Sequence, residues 1–554
     1  MAQDRWTYSL IFAVLGALFF LPFLGEVHLF DWDEINFAEI SREMIVTGEY
    51  SRIFVNFEPF WEKPPFFFWM QVLAMKIFGI GEYAARFPNA ICGILTLVLL
   101  FQMGRKIYNT PFGVIWAGVY LGTILPHLYF KSGIIDPFFN LFIFLGLYFF
   151  ILFYWKKENL RGIVLPKSKW TYLFLSGFVI GMAILTKGQV AYLICCLTFF
   201  VYWVFQRFRM YVSIPQFLFF TFATTLVTLS WYGVETWKNG PWFITTFNEY
   251  QIRLLSTPDA GHKGFIGYHF VVLLVGCFPA SIFAIRSFFK MPPSKHHYQK
   301  DFRLWMKILF WVVLILFSIV QSKIVHYSSM CYFPLTFLAS ISIYEIITRR
   351  ITFNRRMKTA LWFIGSLFII AILAAPYLAQ HPELIFEYIQ DPFARENLKA
   401  NHKWGLGFYI PGIFLWFVLT LTMFFAKKNN YERAFTSLFL GTALFVTVTL
   451  VFFINRIESY SQNAAVEFVK SKAKEDCYII PWRYKSYVQL FYAQKPKVEN
   501  QKSYDREWCL KGNVDKDVYL ISKIHKLEGL SNYPELKEID RKDGFVFFKR
   551  IRPE

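Results

Sequence analysis

Long apolar runs alternate along this chain with connections that are basic on every second occurrence, and that pattern leaves few folds open. A helix needs about 20 consecutive apolar residues to cross a hydrocarbon core. By that measure about thirteen runs qualify, near residues 8–26, 88–104, 112–130, 137–155, 171–186, 189–205, 213–233, 266–285, 304–321, 328–347, 359–379, 407–426 and 434–454. Inside lipid a backbone must pair its own polar groups, so runs of this length read as helices. Composition agrees, since 56% of the 554 residues are hydrophobic, 21% aromatic and only 17% charged. Soluble domains carry about 25% charged residues.

The cations fall in alternate connections: Arg105 and Lys106; Lys156 to Lys169; Arg207 and Arg209; Arg286 to Lys307; Arg349 to Lys358; and Lys427 to Arg433. The positive-inside rule makes these cytoplasmic. The net charge of +20 is thereby largely explained by topology and calls for no nucleic acid. The remaining connections, 27–87, 131–136, 234–265, 322–327 and 380–406, face outward, with the N-terminus cytoplasmic. The first run follows Arg5, lacks a small-residue cleavage pattern, and reads as an uncleaved first helix and not a removed signal peptide. An odd number of spans places the tail outside as well.

The expected architecture is therefore an all-α polytopic membrane domain, residues 1–454, followed by a small extracytoplasmic α/β domain, residues 455–554. In the tail, Ser461–Lys474 has helical spacing, and Tyr478–Pro481, Tyr487–Tyr492, Val518–Ile521 and Phe545–Phe548 read as strands. Segments 34–46 and 66–80 have the amphipathic spacing of interfacial helices roofing the outer surface. Five of the seven cysteines sit in apolar runs as small hydrophobes. Cys477 and Cys509 lie in the tail, and whether they pair is open.

Ionisable groups beside the apolar runs gather on the outer side. They are Asp33, Glu34, Glu62 and Lys63 on the first outer connection, then Lys131 and Asp136, then Lys187. Arg253 and His262 follow on the fourth, and Lys323, His326 and Tyr327 on the fifth. Each has a plainer alternative. Lys131, Lys187 and Lys323 are equally readable as snorkelling anchors. Asp136 can cap the helix that Pro137 opens, and His262 can be an ordinary loop residue. Together they place two acids and several cations at one interface. Lysines, an arginine and a tyrosine suit phosphate oxygens, and the same cations stabilise a departing phosphate. A buried carboxylate can take a proton from an acceptor hydroxyl. A transporter would place polar groups nearer the bilayer midplane. No Gly-rich phosphate loop calls for a soluble nucleotide.

At these residues the chain resembles bacterial GT-C membrane glycosyltransferases, the branch of the lipid A aminoarabinose transferases, related to protein O-mannosyltransferases. The resemblance lies in Asp33-Glu34 with Phe37 to Met44, Glu62-Lys63-Pro64-Pro65-Phe66-Phe67-Phe68-Trp69, Gly81 to Pro88, and Leu185-Thr186-Lys187-Gly188. Weaker matches are Arg253, His262-Lys263 and Ser322-Lys323 with Tyr327. It implies transfer of a sugar from undecaprenyl phosphate to an outer-face acceptor such as lipid A or another envelope glycan. It implies Asp33, Asp136 and Glu34 as catalytic residues, and Lys63, Arg253, Tyr327 and Lys323 around the donor phosphate. It implies Glu62 and His262 as a place that can hold a divalent metal ion. The stretch Lys323-Ile324-Val325-His326-Tyr327 departs from the Lys-Leu-Pro-Thr-Tyr of the aminoarabinose enzymes, and Gln189 stands where they carry Pro. These departures leave sugar and acceptor open. Transfer to a protein or O-antigen hydroxyl, a lipid-linked sugar flippase and a non-catalytic envelope assembly protein are the competing readings.

Overall fold

The computed structural model describes residues 2–257, 264–400 and 402–552. The helices begin α1 (Ala2–Phe20), α2 (Asp33–Thr47), α3 (Phe66–Phe78), α4 (Glu82–Ile107), α5 (Thr110–Leu121), α6 (Ile124–Tyr129), α7 (Asp136–Lys157) and α8 (Lys169–Lys187). They continue with α9 (Val190–Phe205), α10 (Ile214–Asn239), α11 (Trp242–Ser256), α12 (Tyr268–Gly276), α13 (Ala280–Phe288), α14 (His297–Ile319), α15 (Tyr332–Ile347) and α16 (Arg355–Gln380). The last are α17 (Pro392–Leu398), α18 (Ile410–Lys427), α19 (Tyr431–Ser459), α20 (Asn463–Ser471), α21 (Val488–Phe491) and α22 (Arg506–Lys511).

Every expected apolar run forms a helix, but not every run forms a full span. Among the described residues nine helices are long and apolar enough to cross a membrane. The helices α1, α5 and α9 carry shorter apolar stretches, and α12 with α13 is one pair bent by 118°. The run at 112–130 breaks between α5 and α6, at a close approach of two backbones. A Cβ on Gly122 would lie 2.1 Å from the Phe439 carbonyl oxygen of α19. The bend of α12 and α13 falls at Phe278-Pro279, where the proline supplies no N–H. The two interruptions are joined, since the Ile124 N–H donates to the Phe278 carbonyl at 3.1 Å.

Between α1 and α4, α2 and α3 pack on the N-terminal end of α7 through phenylalanines. Phe37 meets the rings of Phe67 and Phe68, and Phe67 meets Phe138. The reading of α2 as an interfacial amphipathic helix is corrected here. Residues Glu34 to Met44 are buried without interruption. Its polar face is neutralised internally, with the Arg42 guanidinium donating to both Glu39 oxygens at 2.7 Å. Glu43 accepts the Phe57 N–H at 2.8 Å, beside a hairpin of β1 (Phe54–Val55) and β2 (Glu58–Pro59). Burial, with the neighbouring Glu39 carboxylate, pushes Glu43 up to about 9. The helix α3 does present Leu73, Ile77 and Phe78 outward.

The C-terminal domain holds a sheet ordered β3-β4-β6-β5, comprising β3 (Cys477–Trp482), β4 (Asp517–Lys523), β5 (Lys537–Lys542) and β6 (Phe545–Arg550). The first pair is parallel and the other two are antiparallel. The expected strand at Tyr487–Tyr492 is instead the short helix α21. Val488 and Phe491, three apart, share one helical face and pack with Ile35 and Ala38 of α2 and Val466 of α20. Strand β5 had no apolar alternation to reveal it, because all six residues are exposed. Charged edges of this kind oppose further pairing. Cys477 and Cys509 are separate thiols.

This domain is tied to the first outer connection. The Leu29 N–H donates to the Tyr492 hydroxyl at 2.7 Å, and the Asp31 N–H to the Gln462 side-chain oxygen at 3.1 Å. The Trp32 indole donates to the Lys485 carbonyl at 2.8 Å. His28 meets Glu458 at 2.9 Å.

Candidate active site

A cavity of about 1910 Å³ lies under the C-terminal domain, where the N-terminal ends of α7 and α9 meet the C-terminal ends of α8, α14 and α19. Asp33, Glu62, Lys63, Asp136, Arg253 and Tyr327 line it, as does Glu34. Residues spread over nearly three hundred positions thus face one space. Part of the wall is apolar, from Leu193 and Ile194 of α9, Phe317 of α14, and Leu450, Val451 and Ile454 of α19.

Asp33 is the first residue of α2, half-buried, and among the described residues no hydrogen bond or ion pair holds its carboxylate. The positive end of the helix favours that negative charge. The next residue is quite different. Glu34 is fixed by Arg86 of α4, whose Nε and Nη2 donate to its two oxygens at 3.0 and 2.8 Å. The N–H groups of Phe30 and Gly133 donate to the same carboxylate. Burial pushes the Glu34 carboxyl up, but Arg86 and these N–H groups outweigh it and hold it below its ordinary value. Every lobe of Glu34 is occupied, so its expected catalytic role is corrected to a scaffold that fixes the start of α2.

Asp136 opens α7 but makes no capping bond. It receives the Lys187 ammonium at 2.6 Å instead, and is 2% exposed. Lys187 can reach it because α8 stops at once. Gly188 has φ +107°, and a Cβ there would lie 2.4 Å from the Phe247 ring. The ammonium also lies 5.7 Å from the Phe139 ring and 5.4 Å from that of Tyr327. His326 interacts electrostatically with both Asp136 and Asp33, and Lys63 does so with Asp136. Lys63 and Arg253 stand over one ring, Tyr250, at 5.1 and 5.3 Å. Two cations, two tyrosines and the Asp136–Lys187 pair therefore share one part of the cavity.

Lys323 is not part of that wall. Its ammonium donates to the carbonyls of Phe317, Ser318 and Val320 at 3.3, 2.6 and 2.5 Å. It satisfies the open C-terminus of α14, as a cation at that end of a helix dipole should. The expected phosphate role for Lys323 is corrected accordingly. Glu62 lines the cavity, while His262 lies outside the described residues. Among the described residues no three His, Cys, Asp or Glu side chains converge. Of the expected Glu62–His262 metal pair, only Glu62 is among the described residues.

The sequence reading missed the residues that come from far away in the chain. Tyr250 had only its spacing from Arg253 to mark it. Asp31 was visible beside Asp33 but gave no sign that it would meet the tail, where it accepts the Tyr487 N–H at 3.2 Å. Burial pushes Asp31 up to about 6, against that hydrogen bond and the nearby Lys523 and Lys485. Lys485 and Lys523 both line the cavity from the C-terminal domain. Lys131, at the same level, donates to the Pro22 carbonyl at 2.7 Å, and burial holds it down to about 8.

Residues 62–231 match the sequence family described as dolichyl-phosphate-mannose-protein mannosyltransferase. The chain is 25% identical over 355 residues to the undecaprenyl phosphate-alpha-4-amino-4-deoxy-L-arabinose arabinosyl transferase 1 of Proteus mirabilis, covering 62% of this chain and 61% of that one. It is 25% identical to the protein of that name from Pseudomonas fluorescens, covering 70% of this chain and 69% of the relative. In structure it is similar to ArnT of Cupriavidus metallidurans, solved bound to undecaprenyl phosphate. The TM-score is 0.77 over 98% of each chain, at 17% identity. The oligosaccharyltransferase of Archaeoglobus fulgidus is a more distant structural neighbour, with a TM-score of 0.51 over 94% of this chain and 70% of that one, at 12% identity. The fold is shared across these membrane proteins, and the resemblance read from the Asp33 and Glu62-Lys63 stretches holds.

Proposed function

We infer that this chain, an aminoarabinose-transferase-like protein of GT-C fold, is an integral membrane glycosyltransferase using a sugar linked to undecaprenyl or another polyprenyl phosphate. The observation that carries this reading is the single cavity to which five separated segments bring Asp33, Lys63, Asp136, Arg253 and Tyr327. The names of the relatives, and the carrier lipid in the neighbouring structure, support it. Alternate basic connections support an orientation with the N-terminus cytoplasmic, and the cavity and C-terminal domain facing the periplasm. The acceptor is lipid A or another envelope glycan.

In this mechanism Lys63, Arg253 and Tyr327 hold the donor phosphate, the arginine through two parallel N–H bonds. As the bond from the anomeric carbon to the phosphate oxygen breaks, negative charge grows on the phosphate. Fixed cations stabilise that charge in a site with little water. The apolar wall from α9, α14 and α19 receives the polyprenyl chain. Asp136, oriented by Lys187, lies beside the sugar and bears on its developing positive charge. Asp33 faces the acceptor, and with no fixed partner among the described residues its carboxylate is placed to take a proton from an acceptor hydroxyl. An acceptor phosphate is already anionic and needs no base. In that case Asp33 orients the acceptor or a charged group on the sugar.

The test is sugar transfer in vesicles from labelled undecaprenyl-phosphate sugars to a lipid A or envelope extract, comparing wild type with Asp33→Asn at matched protein level. Wild-type transfer with release of undecaprenyl phosphate is expected, and Asp33→Asn should lower it by about 10²- to 10⁴-fold. Full activity in Asp33→Asn would remove that residue from the mechanism. Movement of the lipid-linked sugar across the bilayer without transfer would replace the enzyme by a flippase.

A further inference from the structure

We propose that Lys485 and Lys523 of the C-terminal domain form a subsite for a phosphate group on the acceptor lipid. This makes the domain part of the acceptor site, not only a cover over the bundle. The inference rests on the glycosyltransferase reading and adds to it the chemistry of the acceptor.

Both ammonium groups sit over aromatic rings inside the cavity, and among the described residues neither forms an ion pair with a carboxylate, although Lys485 also has the Tyr487 hydroxyl as a polar neighbour. Lys485 lies 5.6 Å from the Trp32 ring and 5.4 Å from that of Tyr487. Lys523 lies 4.3 Å from Phe393 and 5.3 Å from Tyr484. Such rings hold a cation in place while leaving its outer donors free for an anion. Burial holds the Lys523 ammonium below its ordinary value, against the attraction of Asp391 and Asp31. An ammonium partly stripped of water gains from an incoming anion.

The position links the pair to the reacting groups. Trp32, the ring under Lys485, precedes Asp33 in the chain. Lys485 also interacts electrostatically with Glu62 and Tyr250, which flank the donor cations. Asp31 feels both lysines, but its carboxyl is buried and committed to the Tyr487 N–H. It is therefore a weak counter-ion for either lysine. Two lysines match a phosphate monoester, which carries up to two negative charges. A neutral hydroxylic acceptor would bring no counter-charge to either.

The experiment uses the full chain in vesicles, with labelled undecaprenyl-phosphate sugar as donor. The acceptors are phosphorylated lipid A and the same lipid with its phosphates removed. Lys485→Gln and Lys523→Gln should each raise the acceptor KM about tenfold or more. Donor KM, kcat and undecaprenyl phosphate binding should be unchanged, and Lys→Arg at either site should restore most of the effect. The double Gln variant should no longer distinguish the two lipids. An unchanged acceptor KM, or weakened undecaprenyl phosphate binding, would overturn the proposal. Binding of phosphorylated lipid A without donor separates the two readings. Lysine-dependent binding with no wild-type transfer would refute the enzyme and keep the subsite, whereas transfer with lysine-independent binding would do the reverse.

Discussion

Replacing Arg86 with methionine should unfasten the start of α2, and the structure sets the scale. The guanidinium makes five hydrogen bonds. Two go to the Glu34 oxygens at 3.0 and 2.8 Å, two to the Leu24 and Val27 carbonyls at 2.8 Å, and one to that of His28 at 3.0 Å. Without Arg86, Glu34 keeps only the N–H groups of Phe30 and Gly133 while staying 6% exposed. Removing one partner of a buried pair costs about 3–5 kcal/mol. Folded domains have only about 5–15 kcal/mol in total, so the loss is a large fraction. Replacing both members, Glu34→Leu with Arg86→Met, should cost less than the sum of the single changes, because no buried charge is stranded. Unfolding in mixed detergent and SDS micelles would measure all four proteins. The Glu34 carboxyl is held below its unfolded value of 4.5. The pair's contribution is therefore complete above pH 4.5 and lost as pH falls through the lower folded value, so the deficit of Arg86→Met should shrink there. A single variant as stable as wild type at pH 7, or a double variant no better than the sum, would refute the reasoning. Transfer should fall beyond the loss of folded protein, because Asp33 precedes Glu34 on the same turn.

Lys323→Met should lower the thermal midpoint, a change worth up to about 2 kcal/mol for a cation at a helix C-terminus, and leave undecaprenyl phosphate affinity within about twofold. A tenfold loss of affinity at unchanged stability would return Lys323 to the donor site. Glu43→Gln should stabilise the protein at pH 8 but not at pH 4. The folded value of about 9 lies above the unfolded 4.5, so wild type loses stability as pH rises through that window while glutamine does not. A stability gap that stays constant from pH 4 to pH 9 would show that Glu43 does not titrate this way.

What could be read in advance followed physical rules that act locally. Apolar runs such as 137–155 and 434–454 had to become helices, because lipid offers their backbones no other partner. Pro137 marked the start of α7, and Gly188 the end of α8. The reading failed where a local pattern fits two structures. Tyr487–Tyr492 has apolar residues that suit a strand or one helical turn, and packing against α2 selected the helix. Segment 34–46 had the spacing of an amphipathic interfacial helix, yet Glu39, Arg42 and Glu43 on it are buried. Lys323 and Lys63 were alike as outer lysines in the sequence, yet one closes a helix and the other faces the cavity.

The sequence by itself determined that the chain is a bundle of membrane helices followed by a small mixed domain, and which connections carry the acids and cations. The first follows from hydrocarbon thickness, which sets the length of an apolar span, and the second is read directly from the charges between the spans. Only the tertiary structure decided which of those charges are committed and which face the cavity. Glu34 and Asp33 are neighbours of the same charge type, but Arg86, fifty-two residues on from Glu34, takes one and leaves the other. The tail's place over the site was decided in the same way, by contacts such as Asp31 with Tyr487 across 456 positions. Pairings of that range depend on three-dimensional proximity, which no local spacing of residue types encodes.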